Sequence, residues 1–190
     1  MIIGIMGAAG AGKDTVGALL LSRADRPMRL DSFAAPMYAA LSAMLDVPEH
    51  VLRDRTRKET EIRPLCASPR RMLQTLGTEW GRDTIDADIW VLLALQRHDK
   101  AQAGAWRGEG MTTVITDVRF GNEVAAVKAR GGLLVNVERE VSQVAGHVSE
   151  TLEREKYADV TIQNDGSIEE LKEKVAYFYQ HHVRANFYSE

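Results

Sequence analysis

The beginning of this 190-residue chain constrains its fold more than any other part of the sequence. Residues 2–6 are mostly apolar and too few for a stable helix, so they predict a buried parallel strand. Residues 7–13 follow with the spacing G-x-x-x-x-G-K, and a helical run begins at once. Strand, glycine-rich loop and helix in this order predict a phosphate-binding loop, because backbone N–H groups, Lys13 and the positive helix end converge there. The alternative, a plain turn of small residues, gives Lys13 no role.

The position after the lysine departs from the usual motif. Ser or Thr is expected there, with a hydroxyl that holds Mg²⁺, but this chain has Asp14 followed by Thr15. A carboxylate is also a hard oxygen ligand for Mg²⁺, so Asp14 is predicted to hold the metal. The alternative is that Asp14 only stabilises the positive end of the helix dipole. The loop residues predicted to bind phosphate are Gly7, Ala8, Ala9, Gly10, Ala11, Gly12, Lys13, Asp14 and Thr15.

The composition excludes several classes of protein. A content of 45% hydrophobic and 27% charged residues is ordinary for a globular domain, and the length suits one domain over residues 1–190. The net charge of −3 and the lack of a long basic run argue against a nucleic-acid partner. One cysteine, Cys66, rules out an internal disulfide, and no apolar run approaches the roughly 20 residues of a membrane span. We therefore expect a soluble cytoplasmic protein without a membrane partner.

Short apolar segments alternate with helical patterns along the whole chain. This alternation predicts an α/β fold of three layers with a five-stranded parallel sheet. The predicted strands are residues 2–6, 28–30, 112–116, 133–137 and 159–162. The predicted helices are residues 13–23, 36–45, 48–57, 68–81, 85–102, 122–130, 151–156 and a last one from residue 167. Residues 31–110 and 138–156 are longer than the minimal connections of such a sheet.

Two predicted strands end in residues that suit a ligand site. Asp31 and Phe33 follow the second strand, at the sheet edge where open α/β sheets bind ligands. Asp117 follows the third strand, where phosphate-loop proteins keep a second carboxylate that organises the metal. An Asp at a strand end is also a common turn residue, which is the alternative for Asp117.

The predicted helix over residues 68–81 has two contrasting faces. Its apolar face carries Leu73, Leu76 and Trp80. The opposite face carries Arg70, Gln74, Gly77, Thr78 and Gly81. A guanidinium, an amide, a hydroxyl and two glycines suit contact with a polar ligand, although an exposed surface is the alternative.

Four motifs together resemble the bacteriophage-type deoxynucleoside monophosphate kinases. They are Gly-Lys-Asp-Thr at 12–15, the run at 70–79, Asp-Val-Arg-Phe-Gly-Asn-Glu at 117–123, and His-Val-Ser-Glu at 147–150. Residues 158–167 also resemble dephospho-coenzyme A kinase, in which the corresponding turn packs on the adenine of ATP. The Gly-Lys-Asp variant is shared with animal-type phosphomevalonate kinases, so Asp14 does not identify the substrate.

The resemblance implies a P-loop enzyme that transfers the γ-phosphoryl group of ATP to a deoxynucleoside monophosphate, giving ADP and the diphosphate for deoxynucleotide synthesis. It implies ATP and Mg²⁺ as cofactors, residues 31–110 as an acceptor-binding insertion and residues 138–156 as a lid. The partners would be small molecules, with a homodimer left open, and the location would be the host cytoplasm if a phage encodes the chain. The alternatives are a kinase of another small phosphorylated acceptor, such as dephospho-coenzyme A, or a regulatory module that binds ATP without transfer.

The resemblance also assigns roles to individual residues. The implied catalytic residues are Lys13, Arg119 and Arg70. Beyond the loop, the implied ATP-binding residues are Arg139, Asn164 and Gly166. The implied substrate-binding residues are Asp31, Phe33, Arg70, Gln74, Thr78, Arg82, Asp88, Arg119 and Glu150, and the implied metal ligands are Asp14 and Asp117.

Overall fold

The computed structural model describes residues 1–54, 56–105, 110–139 and 153–185. Its sheet consists of the strands β1 Ile2–Gly7, β2 Met28–Asp31, β3 Thr112–Ile115, β4 Leu133–Glu138 and β5 Val160–Gln163. All four strand pairings are parallel, and the spatial order is β2-β3-β1-β4-β5. The predicted five-stranded parallel sheet is confirmed, with each strand end within a residue or so of its predicted position.

The strand order determines where a ligand can bind. β1 lies in the middle, with β3 on one side of it and β4 on the other. The chain builds β2 and β3 on one side before it crosses to β4 and β5 on the other. Such a reversal opens a crevice at the carboxyl end of the central strand. The segment that follows β1 is the predicted phosphate-binding loop.

Helices cover both faces of the sheet. On one face, α1 Lys13–Arg23 and α8 Ile168–Phe178 pack against β1, β4 and β5 through a core that includes Val16, Leu20 and Val175. On the other face lies α6 Gly121–Ala129, and a methyl group at Gly4 would meet Val127 of this helix. Every residue of β1 is buried, as expected of a central parallel strand. The three predicted layers are therefore present.

The chain divides into two compact units. The first unit comprises Met1–Ser32 and Arg97–Glu190, and it contains the sheet. The second unit, Phe33–Gln96, is helical. Its elements are α2 Ala35–Leu45, α3 Glu49–Arg53, α4 Pro69–Thr75, a π-helical segment Leu76–Ile85 and the first part of α5 Ile89–Ala103. Tyr38, Leu41 and Leu52 form the buried centre of the second unit. The predicted insertion over residues 31–110 includes this unit, and its role stays a prediction.

Two helix predictions in the second unit were wrong at their ends. The helix predicted for residues 48–57 ends at Arg53, because the Asp54 carboxylate accepts hydrogen bonds from both the N–H and the hydroxyl of Thr56. The helix predicted for residues 85–102 begins only at Ile89, because the Asp86 carboxylate accepts a hydrogen bond from the N–H of Asp88 and so forms a turn before it. In both places a short acidic side chain binds the nearby backbone in a turn.

The helix predicted for residues 68–81 changes its type halfway. Ser68 caps α4 as its sequence signature predicts, since its hydroxyl accepts a hydrogen bond from the N–H of Arg71. After Thr75 the chain continues as the π-helical segment Leu76–Ile85, whose wider turn changes which residues share a face. Trp80, predicted on the apolar face, is consequently 48% exposed.

The remaining elements are short. α7 Arg154–Tyr157 corresponds to the helix predicted for residues 151–156, of which the first two lie outside the described residues. A second π-helical segment, Tyr179–Val183, extends α8. Among the described residues, no helix is both long enough and apolar enough to cross a membrane.

Candidate active site

Gly7, Gly10 and Gly12 of the loop between β1 and α1 have positive φ angles, and at Gly7 and Gly12 there is also no room for a Cβ. Gly7 has φ 150°, and a Cβ there would lie 2.5 Å from the carbonyl oxygen of Val137. Gly12 has φ 101°, and a Cβ there would lie 2.5 Å from the amide nitrogen of Asn164. Both glycines of the G-x-x-x-x-G-K spacing are thus required by the wrapped backbone and by its close neighbours. This backbone supports the phosphate-loop prediction.

Lys13 folds back over the loop. Its Nζ donates hydrogen bonds to the carbonyl oxygens of Gly7 and Ala8, each at 2.8 Å. The pKa of Lys13 is lowered to about 8, mainly by burial and also by the nearby charges of Arg119 and Arg154, against the opposite effects of Asp14 and Asp117. Burial and the neighbouring positive charges thus make protonation of Lys13 less favourable. An anion bound at the loop would raise the pKa of Lys13 again.

The two predicted metal ligands are brought to the same edge of the sheet. The Thr116 hydroxyl, which follows β3, donates a hydrogen bond of 3.0 Å to Oδ1 of Asp14 in the first turn of α1. Asp117 is the next residue, and both carboxylates raise the pKa of Lys13. Within the described part of the chain, no group of three or more His, Cys, Asp or Glu side chains could hold a metal. Two carboxylates fit Mg²⁺, which commonly takes one or two carboxylates together with phosphates and water.

A buried carboxylate fixes the backbone that carries Arg119. Glu123 in α6 is 2% exposed, and its Oε2 accepts hydrogen bonds from the N–H of Arg119 at 2.7 Å and of Phe120 at 3.1 Å. The sequence reasoning missed this role. A glutamate three residues after the start of a helix is half of a capping box, and that spacing could have identified it. Arg119 itself is exposed, as a residue that binds a substrate must be.

The turn after β5 is tied to the phosphate loop. Asn164 is buried, and its side-chain amide donates a hydrogen bond of 2.7 Å to the carbonyl oxygen of Ala11. A Cβ at Gly166 would collide with the carboxylate of Glu170, which closes a capping box with Ser167. The structure thus gives both residues of this turn a structural role, while the predicted adenine contact of Asn164 and Gly166 stays a prediction.

A cavity of about 480 Å³ lies beside the loop in the first unit. Its lining is strongly polar: Ala8, Asn136, Val137, Glu138, Arg139, Arg154, Glu155, Gln163 and Asp165. Arg139, predicted to bind ATP, is at this cavity. Arg154 was not singled out from the sequence, because it lies in a charged segment that resembles any solvated helix. The cavity therefore adjoins the phosphate loop at Ala8.

Asp31 is held in an ion-pair network at the end of β2. Its side chain is 3% exposed and forms salt bridges with Arg29 at 3.1 Å and with Arg97 at 3.0 Å. Its Oδ1 also accepts a hydrogen bond from the N–H of Ser32. These donors occupy both carboxylate oxygens, so they favour a structural role for Asp31. Phe33 is buried. The predicted substrate contacts of Asp31 and Phe33 stay predictions.

The helix face predicted to bind a polar ligand is partly buried inside the second unit. Gly77 and Gly81 are buried, and the indole N–H of Trp90 donates a hydrogen bond of 2.8 Å to the carbonyl oxygen of Gly77. A Cβ at Gly81 would lie 2.5 Å from the Trp90 ring, and one at Gly77 would lie 3.0 Å from the sulfur of Met37. The two glycines therefore make room for packing inside this unit, which corrects the prediction that they face a ligand.

The other predicted acceptor residues of the second unit lie toward solvent. Arg70, Thr78 and Asp88 are exposed, whereas Gln74 and Arg82 are half-buried. Arg70 forms a salt bridge with Glu59, and Arg82 donates a hydrogen bond of 3.3 Å to the carbonyl oxygen of Ala87. Glu150, with the motif at 147–150, lies outside the described residues.

Comparisons with known proteins agree with the resemblance found in the sequence. A sequence model of the deoxynucleotide monophosphate kinase family matches residues 58–175. A protein of Acanthamoeba polyphaga mimivirus that carries this family's name is 31% identical over 186 residues, covering 92% of this chain and 94% of that protein. The deoxynucleoside-5'-monophosphate kinase of Escherichia phage T5 is 27% identical over 217 residues, covering 80% of this chain and 84% of the phage protein.

Solved structures support the fold. Dephospho-CoA kinase from Campylobacter jejuni aligns with a TM-score of 0.51 at 12% identity, covering 97% of this chain and 98% of that one. This likeness concerns the fold alone. The family match spans more than half of the chain, and the mimivirus relative covers nearly all of it. The chain belongs to the deoxynucleotide monophosphate kinase family.

Proposed function

We propose that this protein transfers the γ-phosphoryl group of ATP to the phosphate of a deoxynucleoside monophosphate, giving ADP and the deoxynucleoside diphosphate. Membership of the family supplies the reaction. The observation that carries the proposal is the loop itself, in which Lys13 is held against a glycine-dependent backbone and has its pKa lowered to about 8 by burial and by nearby arginines. A site in which buried positive charge is not compensated favours the binding of an anion such as a triphosphate.

The reaction needs charge stabilisation more than proton transfer. The acceptor phosphate has a second pKa of about 6, so its oxygen is already an ionised nucleophile at neutral pH. That oxygen bonds to the γ-phosphorus while the bond from this phosphorus to the bridging oxygen of ADP breaks. Lys13 and the loop N–H groups hold the donor phosphates, and Arg119 stabilises the charge on the transferred group and the acceptor. Arginine suits this role because its fork matches two phosphate oxygens.

Asp14 and Asp117 would hold the Mg²⁺ ion that accompanies ATP. When bound, this ion neutralises charge on the donor phosphates. Thr116 is a positioning residue, because its hydrogen bond fixes the orientation of the Asp14 carboxylate. Asp14 thereby takes the place of the hydroxyl that usually follows the loop lysine. Arg139 and Arg154 at the cavity would add positive charge near the nucleotide.

We assign the acceptor nucleotide to polar side chains of the second unit. Arg70 would bind its phosphate, and the exposed salt bridge with Glu59 can be exchanged for a phosphate contact because such pairs contribute only about 0–1 kcal/mol. The side chains that would contact the rest of the acceptor are Gln74, Thr78, Arg82 and Asp88. Glu150 is a further proposed contact from the sequence alone.

A panel of acceptors with ATP and Mg²⁺ tests the proposal. Each common deoxynucleoside and ribonucleoside monophosphate, together with dephospho-coenzyme A, is incubated with the protein while ADP formation is followed. We expect ADP to form with one or more deoxynucleoside monophosphates. ADP formation with dephospho-coenzyme A alone would assign the chain to another kinase class, and ATP binding without ADP formation would make it a regulatory module.

A pair of matched variants tests the role of Arg119. Arg119→Lys keeps the charge but loses the fork, so we expect kcat/KM to fall by about tenfold or more. Arg130→Lys is the control, because Arg130 is an exposed arginine at the other end of α6 that pairs with Asp99. Equal losses of activity in the two variants would remove Arg119 from the mechanism.

A further inference from the structure

His98 is a buried titratable residue that the proposed reaction does not use. It lies in the second half of α5 and is 6% exposed. Its Nδ1 lies 2.8 Å from the hydroxyl oxygen of Thr113, a fully buried residue of β3. Its Nε2 lies 3.2 Å from the side-chain nitrogen of Gln102, one turn later in α5. Both ring nitrogens therefore have a hydrogen-bond partner inside the protein.

Gln102 determines which nitrogen of the His98 ring carries the proton. Its Oε1 accepts a hydrogen bond of 2.8 Å from the N–H of Met111, and its side-chain nitrogen donates to the carbonyl oxygen of the same residue. Because this pair of bonds fixes the amide, Gln102 presents an N–H to His98, so Nε2 of the ring must accept. The proton of the neutral ring is then on Nδ1, which donates to the Thr113 hydroxyl. These hydrogen bonds are complete only while His98 is neutral.

The charges around the ring also oppose its protonation. The charged groups of the described residues that act on it are the Met1 amine before β1, Arg29 in β2, Asp99 in α5 and Arg130 at the end of α6. Burial is the main cause that lowers the pKa of His98, and the three positive groups lower it further, against the opposite effect of Asp99. Asp99 is itself paired with Arg130 at 2.6 Å. A proton on Nε2 would therefore face an N–H group in a largely positive environment.

We propose that His98 is an acid-sensitive latch, which holds α5 against β3 while the ring is neutral and loosens this contact when the ring is protonated. The neutral ring joins the two elements at Thr113 and, through Gln102, at Met111, which directly precedes β3. With a proton on Nε2, either the ring or the Gln102 amide must turn away, so one of these links is lost. The latch does not depend on the proposed function, because it uses none of the residues assigned to phosphoryl transfer.

The latch predicts a loss of stability on the acid side. An unperturbed histidine titrates near pH 6.5, and His98 in the folded protein has a lower pKa, so the unfolded chain takes up the proton first as the pH falls. Between these two pKa values, the equilibrium constant for unfolding should rise by up to about tenfold for each pH unit of acidification. Above about pH 7 the contribution of the neutral ring is fully present and constant.

Chemical denaturation from about pH 5 to about pH 8 tests the latch with two variants. His98→Gln keeps a polar side chain but cannot titrate, so its unfolding constant should rise less steeply with acid than that of the wild type. His50→Gln is the matched control, because His50 is exposed on α3, and it should follow the wild type. Stability is measured rather than activity, because the acceptor phosphate titrates near pH 6 itself. Equal slopes in the wild type and His98→Gln would overturn the proposal.

Nitrogen NMR of labelled histidine side chains tests the latch without the His98→Gln variant. In the wild type we expect His98 to carry its proton on Nδ1 and to titrate below the exposed histidines. Gln102→Glu replaces the donor by a carboxylate that can accept from Nε2, so the pKa of His98 should rise above its wild-type value. A wild-type ring with its proton on Nε2, titration together with the exposed histidines, or an unchanged pKa in Gln102→Glu would each overturn the proposal.

Discussion

Lys13 is the residue whose ionisation depends most on what the loop binds. Burial and nearby arginines lower its pKa to about 8, and a bound phosphate would raise it again. At a pH between these two values, the free lysine is neutral and the bound lysine is charged, so ATP binding takes up a proton. The affinity for ATP should therefore fall as the pH rises above 8, by at most about tenfold per pH unit.

Calorimetry in two buffers with different ionisation enthalpies measures this proton uptake. At about pH 9 we expect an uptake close to one proton for the wild type, as a free pKa one unit lower requires. Near pH 6.5 the lysine contributes no uptake. Lys13→Met is the matched control and should show none at either pH. The same uptake in Lys13→Met would place the titrating group elsewhere.

Asp14 should make ATP binding unusually dependent on Mg²⁺. Its carboxylate repels a triphosphate when the metal is absent and holds the metal when it is present. Asp14→Asn should therefore bind ATP in EDTA at least as tightly as the wild type, yet turn over with Mg²⁺ about tenfold or more slowly. Asp14→Ser, which restores the usual hydroxyl, should recover part of the rate.

A second variant distinguishes the charge of Asp14 from its orientation. Thr116→Val keeps the carboxylate but removes the hydrogen bond that orients it. We expect Thr116→Val to keep the repulsion in EDTA and to lose only part of the rate with Mg²⁺. Identical metal dependence in the wild type and all three variants would reduce Asp14 to a charge at the helix terminus.

Sequence reasoning identified the residues of the loop motif but not the residues that support them. Lys13 and Asp14 follow from local spacing. Thr116 bonds to Asp14 across 102 positions, and Arg154 acts on Lys13 from the far end of the chain. Such contacts depend on how the strands are ordered in the sheet, which one chain's pattern of residue types does not specify. Glu123 is different, because its position in the first turn of α6 is a local pattern from which its backbone contact with Arg119 could have been predicted.

At the scale of elements, the turn after β5 supports the phosphate loop. Asn164→Ala leaves the buried carbonyl oxygen of Ala11 without its donor, so we expect the free energy of unfolding to fall by about 1–3 kcal/mol. A less rigid loop should raise the KM for ATP more than the KM for the acceptor. Thr161→Ala, an exposed change on β5, is the control and should alter stability by less than about 0.5 kcal/mol. Equal effects on both KM values would place this turn away from the donor.

The π-helical segment Leu76–Ile85 depends on glycine where it packs on Trp90. Gly81→Ala puts a methyl group 2.5 Å from the Trp90 ring, so we expect a loss of about 1–3 kcal/mol in the free energy of unfolding. Thr78→Ala, in the same segment but exposed, should change stability by less than about 0.5 kcal/mol. Chemical denaturation compares the two, and a Gly81→Ala protein as stable as the wild type would contradict this packing.

Secondary structure was predictable where a periodic pattern lasts long enough to decide it. The five strands and the capped start of α4 follow from apolar runs and from the Ser-Pro signature. The π-helical segment was not predictable, because a helix with period 3.6 and one with a wider turn begin with the same residues. Its phase is set by the Trp90 indole, which packs from another helix and bonds to Gly77.

The whole molecule has a net charge of −3, yet both of its proposed substrates are anions. The reaction therefore depends on local positive charge rather than on the overall field. In the first unit this charge comes from Lys13, Arg119, Arg139 and Arg154, and in the second unit Arg70 and Arg82 are the proposed contributors. The parallel five-stranded sheet and the family were predictable from the sequence, because both follow from local patterns and motifs along the chain. The exact bounds of the second unit, Phe33–Gln96, depend on how its helices pack together.

The most direct test of the account follows the γ-phosphoryl group itself. ATP with a labelled γ-phosphorus is incubated with Mg²⁺ and the deoxynucleoside monophosphate that is most active in the acceptor panel. The wild type should transfer the label into the β-position of the deoxynucleoside diphosphate, and a folded Lys13→Ala variant should transfer none. Label that appears only in inorganic phosphate, or transfer by Lys13→Ala at the rate of the wild type, would contradict the assignment of this loop as the site of phosphoryl transfer.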